Sequence, residues 1–290
     1  MTYDLLIGDR LHSSWSLRAW LMLERPGLPH RLHHARLYTP GFNEGLAEFA
    51  PARLVPALRL PEGTVLAETL AIAETLAERH PELGLWPGGA AVRATARWLA
   101  AEMHAGFTAL REACPMHLGV SYEGFRPSET VRADLDRLAV IWAHARRFSD
   151  GAGPWLFGAW SLADAFFAPV ATRVATYGLP LGNADMAYVA TQLADPAFRR
   201  WRAMGLADGY HQPFYDRDLP RRTWPGPAPL PARPVKSGPA ENVVCPYSGR
   251  PVTHFLETGG RVFGFCNAFC RDKTAADPEA WPAFRAIYHS

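Results

Sequence analysis

Lysine is almost missing from this chain: Lys236 and Lys273 are the only two, and arginine supplies the rest of its 30 basic residues. With 28 acidic residues the formal charge is only +2. No basic stripe suited to neutralising phosphates stands out, so nucleic-acid binding is not expected. Long apolar runs are missing too. No stretch approaches the ~18 apolar residues of a membrane span. The opening MTYDLLIGDR has neither the basic leader nor the apolar core of a signal peptide, so a cytoplasmic protein without a membrane partner is expected. Cysteine is scarce, at Cys114, Cys245, Cys266 and Cys270. None precedes Cys114, which excludes C-x-x-C redox chemistry from the N-terminal part. No G-x-S-x-G elbow is present, which argues against a serine hydrolase.

What remains is ample core material, 48% hydrophobic against 20% charged over 290 residues, enough for about two domains. Residues 1–80 alternate strand and helix signals. YDLLIG reads as a strand, Ser14 to Glu24 as a helix and HRLHHARL as a weaker strand. PALRL and TVLA flank Pro61–Glu62–Gly63 as a hairpin. Leu70, Ile72, Ala73, Leu76 and Ala77 then recur at helical spacing until Pro81. This βαβ then ββα order implies one mixed sheet with helices on it. From about residue 88 to 210 strand signals vanish, and Val92, Ala96, Leu99, Met103, Phe107 and Leu110 mark a helical bundle. Residues 219–241 are crowded with proline and read as an extended linker. The tail beyond is short enough to need a staple such as a metal.

LHSSWSLRAW places three serines where the first strand gives way to a helix. Serine is a preferred N-cap, which accounts for one of them. The sequence here resembles the glutathione transferases, especially serine-type, zeta-like ones and their bacterial relatives, in four motifs in the expected order: SSWSLRAWLML, FAPARLVPAL, LAETLAIAETLAERHP and WLFGAWSLADAFFAPVATRV. The resemblance spans roughly residues 1–212. It implies a thioredoxin-like α/β domain over 1–83 and an all-α bundle over 84–215. A proline-rich linker over 216–241 and a small α+β module over 242–290 complete the expected layout.

The resemblance also implies glutathione as co-substrate, a small electrophile as second substrate, and a homodimer. Its thiol, with a pKa near 8.5, needs roughly 2.7 kcal/mol of preference for the anion to drop by about two units. One hydrogen bond to the thiolate contributes ~1.5–3 kcal/mol and a helix N-terminus about 0.3–1 kcal/mol. Ser13 is the expected donor, matching the family's first serine, with Ser14 and Ser16 as alternatives. By the same carry-over Val55, before a cis Pro56, pairs with the tripeptide backbone. Glu68 and Thr69 hold the γ-glutamyl end and Arg53 reaches the glycyl carboxylate. Met103, His104 and Phe107 face the electrophile, with His104 kept as a structural residue and not a catalytic one. Ser161 and Asp164 form an S-x-x-D capping box.

Cys245, Cys266 and Cys270 space as C-x20-C-x3-C and resemble small TRASH or YHS-like metal-binding modules. Zinc would need a fourth ligand. Ser248 stands where a second knuckle cysteine would be, which leaves His254, or less favourably Asp272, to complete the set. Two other readings stay open: a binding or assembly protein that keeps the fold without turnover, and a metal sensor or chaperone that works through the tail.

Overall fold

The computed structural model describes residues 2–149 and 151–290. They form two compact units, Met1–Leu193 with Pro213–Trp224, and Ala194–Gln212 with Pro225–Ser290.

The first unit opens with β1 (Tyr3–Ile7), α1 (Ser14–Glu24), β2 (His30–His34), α2 (Gly41–Ala47), β3 (Ala57–Arg59), β4 (Val65–Ala67) and α3 (Thr69–Arg79). The sheet order is β2-β1-β3-β4, with β1 and β2 parallel and the other neighbours antiparallel. This is the expected thioredoxin-like arrangement. Strand β1 is buried at all five residues, so it reads as one apolar run and not as an alternating pattern. Helix α2 is absent from the sequence reading: it is seven residues long and buries only Leu46, too little for a periodic stripe.

The helical part contains α4 (Ala90–Ala105), α5 (Thr108–Ala113), the two-residue strand β5 (Ser121–Tyr122), α6 (Glu129–Arg146), α7 (Leu162–Tyr177) and α8 (Asn183–Ala194). Helix α7 is buried along its whole length, even at Pro169, and packs against α1 and α4. Strand β5 pairs with β6 (Arg221–Arg222), so this proline-rich stretch is in part a sheet partner.

The second unit contains α9 (Pro196–Asp208), β7 (Ala232–Val235), β8 (His254–Thr258), β9 (Arg261–Phe265), α10 (Ala268–Ala276) and α11 (Pro282–Tyr288). Its sheet runs β7-β8-β9, all antiparallel. The boundaries therefore differ from those expected. Residues 232–235, expected in the linker, are an edge strand, and α9, expected in the bundle, packs on α10. Pro234 fits an edge position because proline lacks a ladder donor. The tail also has a core of its own: Phe263, Phe265 and Phe284 are buried, Phe265 stacks on Phe284 while Phe263 meets it edge-on, and Lys273 Nζ lies 3.8 Å from the Tyr247 ring. Arg199 of α9 forks onto Asp277 at 2.8 and 2.7 Å. Aromatic burial and α9 replace part of the stapling asked of a metal. Among the described residues no helix is long and apolar enough to cross a membrane.

Candidate active site

Ser13 is the N-cap of α1, with extended backbone. Its Oγ accepts the Ser16 N–H at 3.3 Å and donates to Ser16 Oγ at 2.8 Å. Ser16 Oγ in turn accepts the N–H of Gly8 at 2.9 Å, tying the helix start to the end of β1. Ser14 is the first helical residue, half-buried, and its hydroxyl makes no hydrogen bond among the described residues. The three serines thus differ in duty: Ser13 caps, Ser16 braces, and Ser14 presents a free hydroxyl beside the exposed N–H groups of a helix start.

Two cavities meet beside this helix start, at Trp15. One, of about 480 Å³, is lined by Arg53, Val55, Pro56, Glu68, Thr69 and His104 among others. The other, of about 550 Å³, has Ser13 and Ser14 in its wall. Trp15, Leu54 and Val55 line both. All five residues expected to hold the tripeptide fall on the first cavity. The Val55–Pro56 bond is cis, and so is Ala50–Pro51. Val55 packs against a cluster of Leu6, Ala35, Leu46, Phe49 and Ala57, which anchors the loop. Its backbone N–H and carbonyl make no hydrogen bond among the described residues.

Glu68 caps α3: its carboxylate accepts the N–H groups of Leu70 at 3.0 Å and Ala71 at 3.4 Å. Its backbone sits at φ 91°, ψ 128°, a region costly for any residue with a Cβ. A strained acidic cap on a cavity wall is a functional signal that sequence spacing does not carry. His104 Nδ1 lies 3.2 Å from Glu68 Oε1, and its ring lies edge-on to Trp15 at 5.0 Å. Burial holds His104 below the ordinary histidine range, against the pull of Glu68 and with the push of Arg18 and Arg111. Arg53 is exposed and makes no hydrogen bond or ion pair among the described residues.

The residues expected around the electrophile need correction. Met103 is fully buried and Phe107 nearly so, and neither lines the cavity beside the serines. Helix α4 turns its apolar stripe into the bundle, and its exit at Phe107, with φ 58°, continues the core. His104 lies on the first cavity instead. The second cavity takes Thr108, Arg111, Pro115 and Met116 from α5 and the turn after it, Arg173 from α7, and Tyr38 and Tyr215 at its edge.

In the second unit the sulfurs of Cys245, Cys266 and Cys270 all lie within 4.8 Å of one another. Those of Cys266 and Cys270 are 4.0 Å apart. Tetrahedral zinc with Zn–S near ~2.3 Å calls for sulfurs roughly 3.8 Å apart, so the three thiols fit three corners. His254 does not join them: it pairs with Phe265 in the β8–β9 ladder and its Nδ1 meets Thr253 Oγ1 at 2.9 Å. Asp272 is engaged with Arg271. Ser248 lies closest instead, donating to Cys266 Sγ at 3.2 Å. Burial pushes the Cys245 thiol up, but the N–H groups of Cys266 and Tyr247, with the hydroxyl and N–H of Ser248, outweigh it and bring it down to about 7. Burial and the neighbouring Cys245 push Cys270 up to about 12.

Residues 12–79 match the family model described as Glutathione S-transferase, N-terminal domain. No curated protein sequence matches the chain. Among solved structures, a glutathione transferase homologue from Burkholderia gl BGR1, solved with bound glutathione, is 25% identical, with 71% of this chain and 98% of that chain covered and a TM-score of 0.53. A glutathione transferase from Methylococcus capsulatus str. Bath is 23% identical, over 70% of this chain and 98% of that one, with a TM-score of 0.52. Glutathione transferase Omega 2S from Trametes versicolor is 21% identical, over 74% and 99%, with a TM-score of 0.54. The sheet order, the helices that follow it and the matched segment agree: this chain carries a glutathione transferase N-terminal domain on a thioredoxin-like fold followed by a helical domain.

Proposed function

We propose that the chain is a glutathione transferase in which a serine at the start of α1 holds the thiolate. The observation that carries this reading is the meeting of two cavities at Trp15, Leu54 and Val55, one walled also by Glu68 and Thr69 and the other by Ser13 and Ser14. Glutathione lies in the first cavity. Its cysteinyl backbone pairs with the open N–H and carbonyl of Val55, its γ-glutamyl carboxylate meets the N-terminus of α3, and its ammonium meets Glu68. Arg53 takes the glycyl carboxylate. The sulfur then reaches the mouth of the second cavity, where the Ser14 hydroxyl donates to it and the first N–H groups of α1 add their dipole.

The thiolate attacks an electrophilic carbon in the second cavity, forming the C–S bond as the leaving group departs with its electron pair. Addition and later loss of glutathione would make the same site an isomerase. Calorimetric binding of reduced glutathione, together with turnover of 1-chloro-2,4-dinitrobenzene, tests the reading. No measurable affinity for the reduced tripeptide would end it. Arg53→Ala is expected to weaken glutathione binding by about tenfold, the effect of one charge-assisted contact, with little change in kcat.

The thiol cluster favours a second role for the C-terminal unit, as a zinc module. Cys245, Cys266 and Cys270 would hold the ion as thiolates, with Ser248 beside the fourth corner. The ion would supply a structural crosslink. The full chain, purified under reducing conditions, is expected to bind one zinc, and Cys245→Ser to lose it. An unchanged melting temperature on adding zinc would reduce the cluster to three free thiols.

A further inference from the structure

The cavity beside the serines is cationic within and aromatic at its edge. Arg173 is 4% exposed; its Nε donates to the Cys114 carbonyl at 2.9 Å and its Nη1 to the Pro169 carbonyl at 3.1 Å. Its Nη2 makes no hydrogen bond among the described residues. Arg111 is tied through Nη1 alone, to the carbonyls of His104 at 3.0 Å and Gly106 at 3.4 Å. Behind them Arg18 is 2% exposed, with Nε and Nη1 buried and unpartnered. The guanidinium carbons of Arg18 and Arg111 lie 4.5 and 4.8 Å from the centroid of the Trp15 ring.

No salt bridge neutralises Arg18, Arg111 or Arg173 among the described residues. Glu112 lines the cavity but is exposed and pairs with neither arginine. The carboxylate whose field reaches Arg18 is that of Glu68, which is already engaged with the start of α3 and His104. Burial lowers the affinity of all three for their protons, and repulsion from the neighbouring arginines adds to it at Arg18 and Arg173; Arg173 falls to about 10, so it stays charged at neutral pH. Ring faces offset part of the cost at Arg18 and Arg111, but two buried cations and a half-buried one that keep unused donors and no carboxylate partner favour an anion that arrives from outside.

The edge selects the rest of that molecule. Tyr38 and Phe214 meet edge to face at 4.8 Å, and His12 stacks on Tyr215 at 4.5 Å. Tyr38 is 67% and Phe214 56% exposed, an unusual amount of aromatic surface to leave in water.

We propose that the second substrate of this site is an aromatic carboxylate, its acid group on Arg111 and Arg173 and its ring among Trp15, Tyr38 and Tyr215. The reaction assigned to it rests on the glutathione reading, but the pocket does not. With 4-chloro-3-nitrobenzoate the thiolate would add at the ring carbon bearing chlorine; the C–S bond forms, the C–Cl bond breaks, chloride leaves with the electron pair, and the thiol proton goes to solvent.

The test titrates 4-chloro-3-nitrobenzoate and its methyl ester into the full-length protein without glutathione, then compares kcat/KM for the two with glutathione present. The acid is expected to bind at least about tenfold tighter than the ester, the effect of a bidentate charge-assisted contact. Arg111→Gln, at a half-buried position, should remove most of that preference while leaving ester binding within about twofold. Arg173→Lys provides a second variant that keeps the charge but not the fork, and it should lower the preference as well. Equal or absent binding of the acid overturns the proposal, and so does an Arg111→Gln protein that keeps the native preference. A loss of glutathione affinity in Arg111→Gln equal to the loss for the acid would assign the arginines to the tripeptide and also overturn it. Acid binding with no glutathione binding would leave the pocket standing and bring down the transferase reading alone.

Discussion

Ser14→Ala is expected to lower the rate of glutathione conjugation by roughly 10- to 100-fold, with glutathione affinity near native. A hydrogen bond to a charged sulfur is worth ~1.5–3 kcal/mol, and that preference is realised only while the sulfur is an anion. The same loss should raise the pKa of the bound thiol by about one to two units, because one unit corresponds to about 1.36 kcal/mol. Thiolate absorbance of the binary complex against pH measures this directly. Ser13→Ala separates the two serines. Ser13 Oγ is engaged with Ser16 in capping α1, so its removal should cost about 1 kcal/mol of stability with a smaller effect on the thiol. The reverse outcome, a native pKa in Ser14→Ala and a raised one in Ser13→Ala, would assign the donor role to the cap.

Asp164→Ala should destabilise the first unit strongly, by roughly 3–5 kcal/mol. As an N-cap partner alone it would rate about 1 kcal/mol. The structure gives it far more to do. Fully buried, it accepts the N–H of Ser161 at 2.8 Å, the Ser161 hydroxyl at 3.2 Å, the N–H of Leu156 at 3.3 Å and the Tyr188 hydroxyl at 2.9 Å. Truncation would leave four buried donors unmatched at the start of the most buried helix. Burial raises the carboxyl to about 6 despite those donors. An unfolded Asp titrates near ~3.9, so the shift favours the folded chain in acid; this contribution is complete below about pH 4 and lost as the pH rises through about 6. The stability gap between native protein and Asp164→Ala should therefore widen by about 1 kcal/mol between pH 7 and pH 5. Urea denaturation followed by tryptophan fluorescence at the two pH values checks both the size and the direction. A gap that narrows on acidification would mean the donors, not burial, set the pKa.

Much of this molecule was legible residue by residue. Helix α1 spans the Ser14–Glu24 expected, and the hairpin around Pro61–Glu62–Gly63 forms as read, because caps, turn formers and apolar periodicity are local properties. The five residues expected around a tripeptide do share a wall, since they sit at strand ends and helix starts that any such sheet brings to one edge. Less legible was the division of labour among adjacent serines. Ser13, Ser14 and Ser16 are chemically alike in sequence, and only the approach of Gly8 and the direction of the cap show which hydroxyl is free. Met103 and Phe107 were misplaced because periodicity names a helix's apolar stripe but not what it faces. His254 failed for a similar reason: its distance from the thiols depends on strand register, which ligand spacing does not contain.

By itself, then, the sequence determined the element order, the capped helix start beside a strand, the thiols gathered at the C-terminal end and the absence of a membrane-length apolar run. These follow from neighbours within a few positions, where propensity and spacing suffice. Tertiary structure alone decided that α9 packs with the tail, that Glu68 is a strained cap, and that Arg18, Arg111 and Arg173, far apart along the chain, converge beside the serines. Convergence of buried like charges opposes folding locally, so no local pattern announces it. It exists only because the packing of α1, α5 and α7 holds it in place.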